Sequence, residues 1–271
     1  QSGNIGSSTM RNMAERGMGV SRFVATGNEA DVDVADGIAA LAEDDQTRII
    51  LCCMETCRDA GRLAFALDLA RAKNKPVIVL KIGATEQGQA AAASHTGALT
   101  GSDAVFDAVF RRYGVLRVRS FEDLLNVGHA AVLLGTARLP APDAVTLVAA
   151  SGGFGIMMAD AMVESGMTLP QLTERTRALI REAVPTAGTN NPVDASAQMS
   201  ARPDILLKML TALQEDEGGS TLVLLLALSL YNPRLRGTYM EALARIRASH
   251  PDRLMILISQ GPPDAVAEIN A

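Results

Sequence analysis

Two apolar runs of strand length, residues 48–54 and 76–81, bracket an amphipathic stretch of helical length, residues 59–73. Runs this continuous, with Ile49, Ile50 and Leu51 in the first, suit strands buried on both faces, as in a parallel sheet. Parallel neighbours need a crossover between them, and the intervening amphipathic stretch has the right length for a helix. A strand–helix–strand unit therefore predicts the architecture around it.

The alternation continues on both sides. Residues 5–16 have helical composition after a glycine-bearing start, 23–26 read as a short strand closed by Gly27 and Asn28, and 32–42 place Val34, Ile38 and Leu41 at helical spacing. Residues 102–113 read as a helix with Ser102 as cap and Gly114 beyond its end, 115–118 as a strand and 121–134 as a helix. Residues 138–143, Arg-Leu-Pro-Ala-Pro-Asp, are the one proline-rich stretch, and the domain boundary is placed there, giving domains 1–139 and 140–271. The second domain repeats the pattern. It has strands at 145–150, 222–228 and 254–259, and helices at 153–166, 173–183, 205–213 and 237–247, with 189–194 as a loop. The expected fold class is α/β, two similar units in tandem, each a parallel sheet with helices on both faces. Ligands of such sheets sit beyond the carboxyl ends of the strands.

Composition narrows the function. Hydrophobic residues make up 48% of the 271 and charged residues 20%, enough apolar material for two cores and too much for a disordered chain. With 25 Lys and Arg against 30 Asp and Glu, and 3% aromatic residues without Trp, the chain lacks the basic footprint and stacking rings of a nucleic-acid binder. No apolar run approaches the roughly 20 residues of a membrane helix, so no membrane partner is expected. Cys52, Cys53 and Cys57 crowd one region and fit neither a disulfide framework nor a zinc spacing. A reducing, cytoplasmic location and no metal are expected. The chain opens on Gln1 without a signal peptide, in residues that read as a loop entering a helix, and is expected to be a piece of a longer protein.

Four places carry suggestive chemistry. The small polar loop from Gln1 to Ser8 and the turn Ser151-Gly152-Gly153-Phe154-Gly155 both open helices, where free backbone N–H groups and the helix dipole favour an anion. No Lys follows the glycines, so neither is a Walker A loop. Glu55 follows a strand directly, placed either to orient a histidine or to cap the next helix. His95 lies in Ala93-Ser94-His95-Thr96-Gly97-Ala98-Leu99, among small residues that begin near Thr85 and read as a loop able to move. His129, in an apolar helix, reads as a buried or interface side chain, and His250 as a helix end. Cys52 and Cys53 read as buried small hydrophobes. Asp31, Asp33 and Asp36 read as cap and solvation for the helix they begin rather than as cation ligands.

Taken in order, these residues resemble a known family. Gln1-Ser2-Gly3, Gly27-Asn28-Glu29-Ala30-Asp31-Val32-Asp33, Glu55, Lys75-Pro76-Val77-Ile78-Val79-Leu80-Lys81, Ala93-Ser94-His95-Thr96-Gly97-Ala98, Ser151-Gly152-Gly153 and Asn191-Pro192-Val193-Asp194 look like the NDP-forming acyl-CoA synthetases, relatives of succinyl-CoA synthetase. The resemblance spans essentially the whole chain and implies two tandem flavodoxin-like domains, the succinyl-CoA-ligase-like centre of such an enzyme. It implies that His95 is phosphorylated during turnover and that Glu55 supports it. It also implies that helix N-termini at Ser2-Gly3 and at Ser151-Gly152-Gly153 converge on the phosphate. The implied reaction is acyl-CoA plus phosphate plus ADP giving a carboxylic acid, CoA and ATP, reversibly, with no tightly bound cofactor and with Mg accompanying the nucleotide. The implied partners are a CoA-binding Rossmann domain upstream, an ATP-grasp domain on the same or a separate chain, and a small carboxylic acid. Without those domains this chain is expected not to complete the reaction, and a homo-oligomer is compatible with the resemblance. Glu55-Thr56-Cys57 departs from the Glu-Gly usual there.

The chemistry suits the residues. A neutral imidazole can attack an acyl phosphate and pass the phosphoryl group on near neutral pH. A carboxylate on its other nitrogen fixes the tautomer and supports the developing cation, while fixed N–H donors stabilise the spread phosphoryl charge. Two other readings are open. One is a regulatory module like those fused to protein acetyltransferases, which have lost the histidine; retention of His95 and Glu55 argues against it. The other is a flavodoxin-like binding module, which gives no reason for Ser-His-Thr-Gly-Ala.

Overall fold

The computed structural model describes residues 1–96, 102–135, 144–195, 202–219 and 221–270. The chain divides into two compact units, Gln1–Leu139 and Pro140–Ala271.

The first unit holds three parallel strands in the order β1 (Ile50–Met54), β2 (Val77–Lys81), β3 (Leu116–Val118). Its helices are α1 (Gly3–Glu15), α2 (Val34–Glu43), α3 (Ala60–Ala72), α4 (Glu86–Thr96), α5 (Asp103–Tyr113) and α6 (Phe121–Leu134). One sheet face buries Ile50, Cys52, Met54, Val77 and Val79 against Ile38 of α2, Leu67 of α3 and Phe110 of α5. On the other, Ile78, Leu80 and Val118 pack on Leu124 of α6, and Met13 of α1 packs on Leu125. Helices thus cover both faces. Local chemistry sets their ends: Asp33 and Asp36 form a reciprocal capping box at α2, Asp59 caps α3, Ser120 caps α6, and Gly114 closes α5 in the left-handed region at φ 69°.

Two expectations fail here. Residues 23–26 do not form a strand. The β1 edge away from β2 faces a cavity of about 610 Å³, lined in part by Phe23, Val24, Ile50 and Cys52, so this segment has no neighbour in the ladder. Phe23 instead lays its ring over Gly6, so closely that a Cβ on Gly6 would lie 2.4 Å from it. The small-residue segment expected as a mobile loop is helical as far as Thr96, as α4. Its alanines lose no side-chain entropy on entering a helix, and the Thr85 hydroxyl accepts the Gly88 N–H at 3.1 Å to start it.

The second unit holds four parallel strands in the order β5 (Val193–Asp194), β4 (Val145–Ala149), β6 (Thr221–Ala227), β7 (Leu254–Ser259). Its helices are α7 (Gly152–Glu164), α8 (Glu174–Ala183), α9 (Pro203–Gln214), α10 (Pro233–Ser249) and α11 (Pro263–Asn270). Val148, Leu222 and Leu224 face Ile180, Leu210 and Tyr239 of α8, α9 and α10, while Leu147 and Val223 face Met162 of α7. Where 189–194 was expected as a loop, Val193 and Asp194 pair with Val148 and Ala149. Asn191 prepares that pairing. Its side chain accepts the Leu147 N–H at 3.0 Å and donates to the Val145 and Pro170 carbonyls at 2.8 and 3.0 Å. The final helix, α11, had no counterpart in the sequence reading.

Candidate functional site

In the first unit the polar residues gather at the carboxyl ends of β1 and β2, as a parallel sheet dictates. Met54 and Lys81 are register partners, and Glu55 follows Met54 as a buried carboxylate. Gln1 holds the turn around it. The Gln1 Oε1 accepts the backbone N–H groups of Glu55 and of Thr56, the latter at 2.8 Å, and its Nε2 donates to the Thr56 carbonyl and hydroxyl, both at 3.0 Å. The Gln1 backbone nitrogen donates to the Cys53 carbonyl at 2.8 Å. The next residue, Ser2, caps α1 by accepting the Ile5 N–H at 3.3 Å, and a Cβ on Gly3 would meet nothing within 4 Å. The start of α1 is therefore open to an incoming anion and is tied to the Glu55 turn.

Lys81 ends an otherwise apolar strand. It is buried, donates from Nζ to the Ile82 carbonyl, and lies 4.8 Å from the Phe106 ring centroid. Burial lowers its pKa, with Arg117 adding to the fall, against the opposing pull of Asp103 and Glu55. Its charge feels Asp103 first and Glu55 more weakly, at the carboxyl end of the sheet. Sequence reading assigned site roles to neither Gln1 nor Lys81. A charge closing the run Val77 to Leu80 is the signal that marks Lys81.

His95 falls in the last turn of α4. Its side chain, like Gly97, Ala98 and Leu99, lies outside the described residues.

In the second unit Ser151, extended at φ −143° and ψ 118°, is the N-cap of α7 and makes no side-chain cap bond, which leaves its hydroxyl for another acceptor or donor. A Cβ on Gly152 would lie 2.9 Å from the Asp194 Oδ2, so any larger residue there would have to push that carboxylate aside. Nothing lies within 4 Å of a Cβ on Gly153. The α7 start thus faces a carboxylate on one side and open space on the other.

The remaining candidates have structural roles. Asp33 and Asp36 cap α2 and pair with Arg62, and among the described residues no group of three or more His, Cys, Asp or Glu could hold a metal ion. Burial pushes the Cys52 thiol up to about 12 and raises those of Cys53 and Cys57, which makes all three poor nucleophiles. His129 is half-buried on α6, and His250 is the C-cap of α10, hydrogen-bonded to the Ser249 hydroxyl at 3.0 Å. Among the described residues no helix is long and apolar enough to cross a membrane.

Two α/β units, each with a parallel sheet, define a flavodoxin-like architecture, a class of fold whose ligands sit at the carboxyl ends of the strands. Residues 1–131 match the family described as the succinyl-CoA ligase like flavodoxin domain. The chain is 35% identical over 206 residues to the alpha subunit of the ADP-forming acetate–CoA ligase I of Pyrococcus furiosus, covering 74% of this chain and 43% of that one. It is 33% identical over 196 residues to the ADP-forming 4-hydroxybutyrate–CoA ligase of Nitrosopumilus maritimus, covering 72% of this chain and 28% of that one. A solved structure of the dinucleotide forming acetyl-coenzyme A synthetase 1 of Ca. Korarchaeum cryptofilum, in complex with phosphate and ADP, matches with a TM-score of 0.80 at 26% identity. That match covers 99% of this chain and 57% of the other. Residues 1–131 belong to the succinyl-CoA ligase like flavodoxin domain family, and the chain is similar over most of its length to ADP-forming acyl-CoA ligases, spanning 43% and 28% of the two curated relatives named above.

Proposed function

We propose that this chain is the phosphoryl-carrying part of an enzyme that interconverts acyl-CoA, phosphate and ADP with a carboxylic acid, CoA and ATP. His95 is the carrier. Phosphate displaces CoA from acyl-CoA to give an acyl phosphate. The imidazole attacks its phosphorus, the carboxylate leaves, and the phosphoimidazole then passes its phosphoryl group to ADP. Glu55 accepts a hydrogen bond from the other ring nitrogen, fixing the tautomer and supporting the cation. Helix-start N–H groups at Ser2 and Gly3, and at Ser151, Gly152 and Gly153, hold phosphate oxygens.

The observation that carries this reading is the turn after β1, where a buried carboxylate is tied through Gln1 to the open start of α1. A fixed acid beside unused N–H donors is the environment a phosphohistidine needs. CoA and nucleotide, with its Mg²⁺, are substrates handled by further parts, a CoA-binding domain and an ATP-grasp domain, on the same polypeptide or another subunit. The cytoplasm is the compartment that supplies these substrates.

The test is labelling of the natural full-length protein with γ-labelled ATP. Acid-labile, base-stable label on the wild type, absent from His95→Ala, is expected. Persistent label in His95→Ala, or none on the wild type, overturns the reading.

A further inference from the structure

Gln1 spends its whole side-chain hydrogen-bonding capacity on one turn. An amide has two acceptor lone pairs and two N–H donors. Here Oε1 receives the N–H groups of Glu55 and Thr56, and Nε2 gives to the carbonyl and hydroxyl of Thr56. No rotation of the amide keeps all four bonds. Glu55 and Thr56 are both buried, so removing the amide takes from their N–H groups the partner that fixes the turn. The Gln1 nitrogen also donates to the Cys53 carbonyl at 2.8 Å. Its neighbour Ser2 caps α1, so one residue joins the helix start to the carboxylate-bearing turn.

We propose that Gln1 is a positioning residue that sets the place of the Glu55 carboxylate relative to the α1 N-terminus. This rests on the phosphohistidine reading above. Gln1 contributes no reacting atom and acts through Glu55. A carboxylate that must meet an imidazole nitrogen tolerates little displacement, since errors near 1 Å can lower rates about 100-fold. A glutamine suits the task because it accepts and donates at once. Alanine removes every bond, whereas glutamate keeps an acceptor for the two N–H groups but loses donation to Thr56.

The test is a double-mutant cycle in the natural full-length protein, read as the single-turnover rate of His95 phosphorylation, with circular dichroism and a thermal melt on each variant. Gln1→Ala is expected to slow labelling about tenfold or more with native secondary structure retained, and Gln1→Glu to recover part of that loss. In a Glu55→Gln background Gln1→Ala should change the rate by less than about twofold, because the carboxylate it positions is gone. Equal losses in both backgrounds, or wild-type rates in Gln1→Ala, overturn the positioning role while leaving the phosphohistidine in place. If Gln1→Ala does not fold, Gln1→Glu carries the cycle with the same criteria. A wild type that takes no label overturns both readings.

Discussion

Asp216 accepts two hydrogen bonds from Thr173, one from its backbone N–H at 3.0 Å and one from its hydroxyl at 2.7 Å. A third comes from the Gly218 N–H at 2.9 Å. The buried carboxylate thereby ties the loop after α9 to the N-cap of α8. Burial pushes the Asp216 carboxyl up, but hydrogen bonds from Thr176, Thr173 and Gly218 outweigh it and hold the group below its usual range. A folded value below the unfolded one means stability that is present above about pH 4 and lost as pH falls through the folded value. Asp216→Ala should therefore destabilise the chain by about 1–3 kcal/mol near neutral pH. Urea unfolding should show the gap between variant and wild type narrowing at about pH 3. A gap independent of pH would mean that the carboxylate charge contributes nothing.

Arg117 sits between two carboxylates, donating to Asp103 and Asp107 at 2.5 Å each, with its side chain 7% exposed. Burial works to lower the Arg117 pKa, but the two carboxylates prevail and raise it. Arg117→Met keeps the stem and leaves Asp103 and Asp107 with only the looser, exposed pairing to Arg119, at 3.7 and 3.5 Å. A loss of about 2–4 kcal/mol is expected, read as a lower melting temperature, with Asp107→Asn costing less because Asp103 remains paired. Equal stability of Arg117→Met and wild type would show the pair to be dispensable.

The three thiols should be slow. With Cys52 pushed up to about 12 and Cys53 and Cys57 raised, little thiolate exists at about pH 8. A disulfide reagent such as DTNB should leave Cys52 untouched in the native chain and react with all three cysteines after unfolding in guanidinium. Rates should rise with pH, because the thiolate is the reacting form. Rapid native reaction at Cys52 would contradict its burial.

At the proposed active site, Glu55→Gln preserves shape and removes charge. Phosphorylation of His95 should fall about 10²-fold or more, since other histidine-orienting carboxylates lose up to about 10⁴-fold on conversion to the amide. A wild-type rate would reduce Glu55 to a structural role at the turn. His95→Ala should abolish labelling with the fold unchanged, checked by circular dichroism.

Legibility followed the range of the interactions. The helix over residues 121–134 was readable at both ends because Ser120 caps it and Gly135 follows it, both within the chain's immediate neighbourhood. The strand 254–259 was readable because all its residues but the last are apolar. Residues 23–26 have equal strand character, yet strand formation needs a partner backbone, and β1 pairs only with β2 among the described residues. Residues 193–194 pair because Asn191, a polar residue in an apparent loop, bonds to the β4 backbone.

The sequence by itself determined the alternation of strands and helices, hence parallel sheets, and hence the strand ends at which polar residues would gather. The position of Glu55 was legible for that reason, since a carboxylate directly after an apolar strand has little choice of place. Gln1 was not legible as its clasp, because the contact joins residues 54 positions apart. Nor did local pattern show Lys81 buried at the same edge, beside Phe106 and opposite Met54. Periodicity and caps are local properties that each segment carries with it. Which side chain meets which backbone group is settled only when strands come into register, and that register belongs to the sheet as a whole.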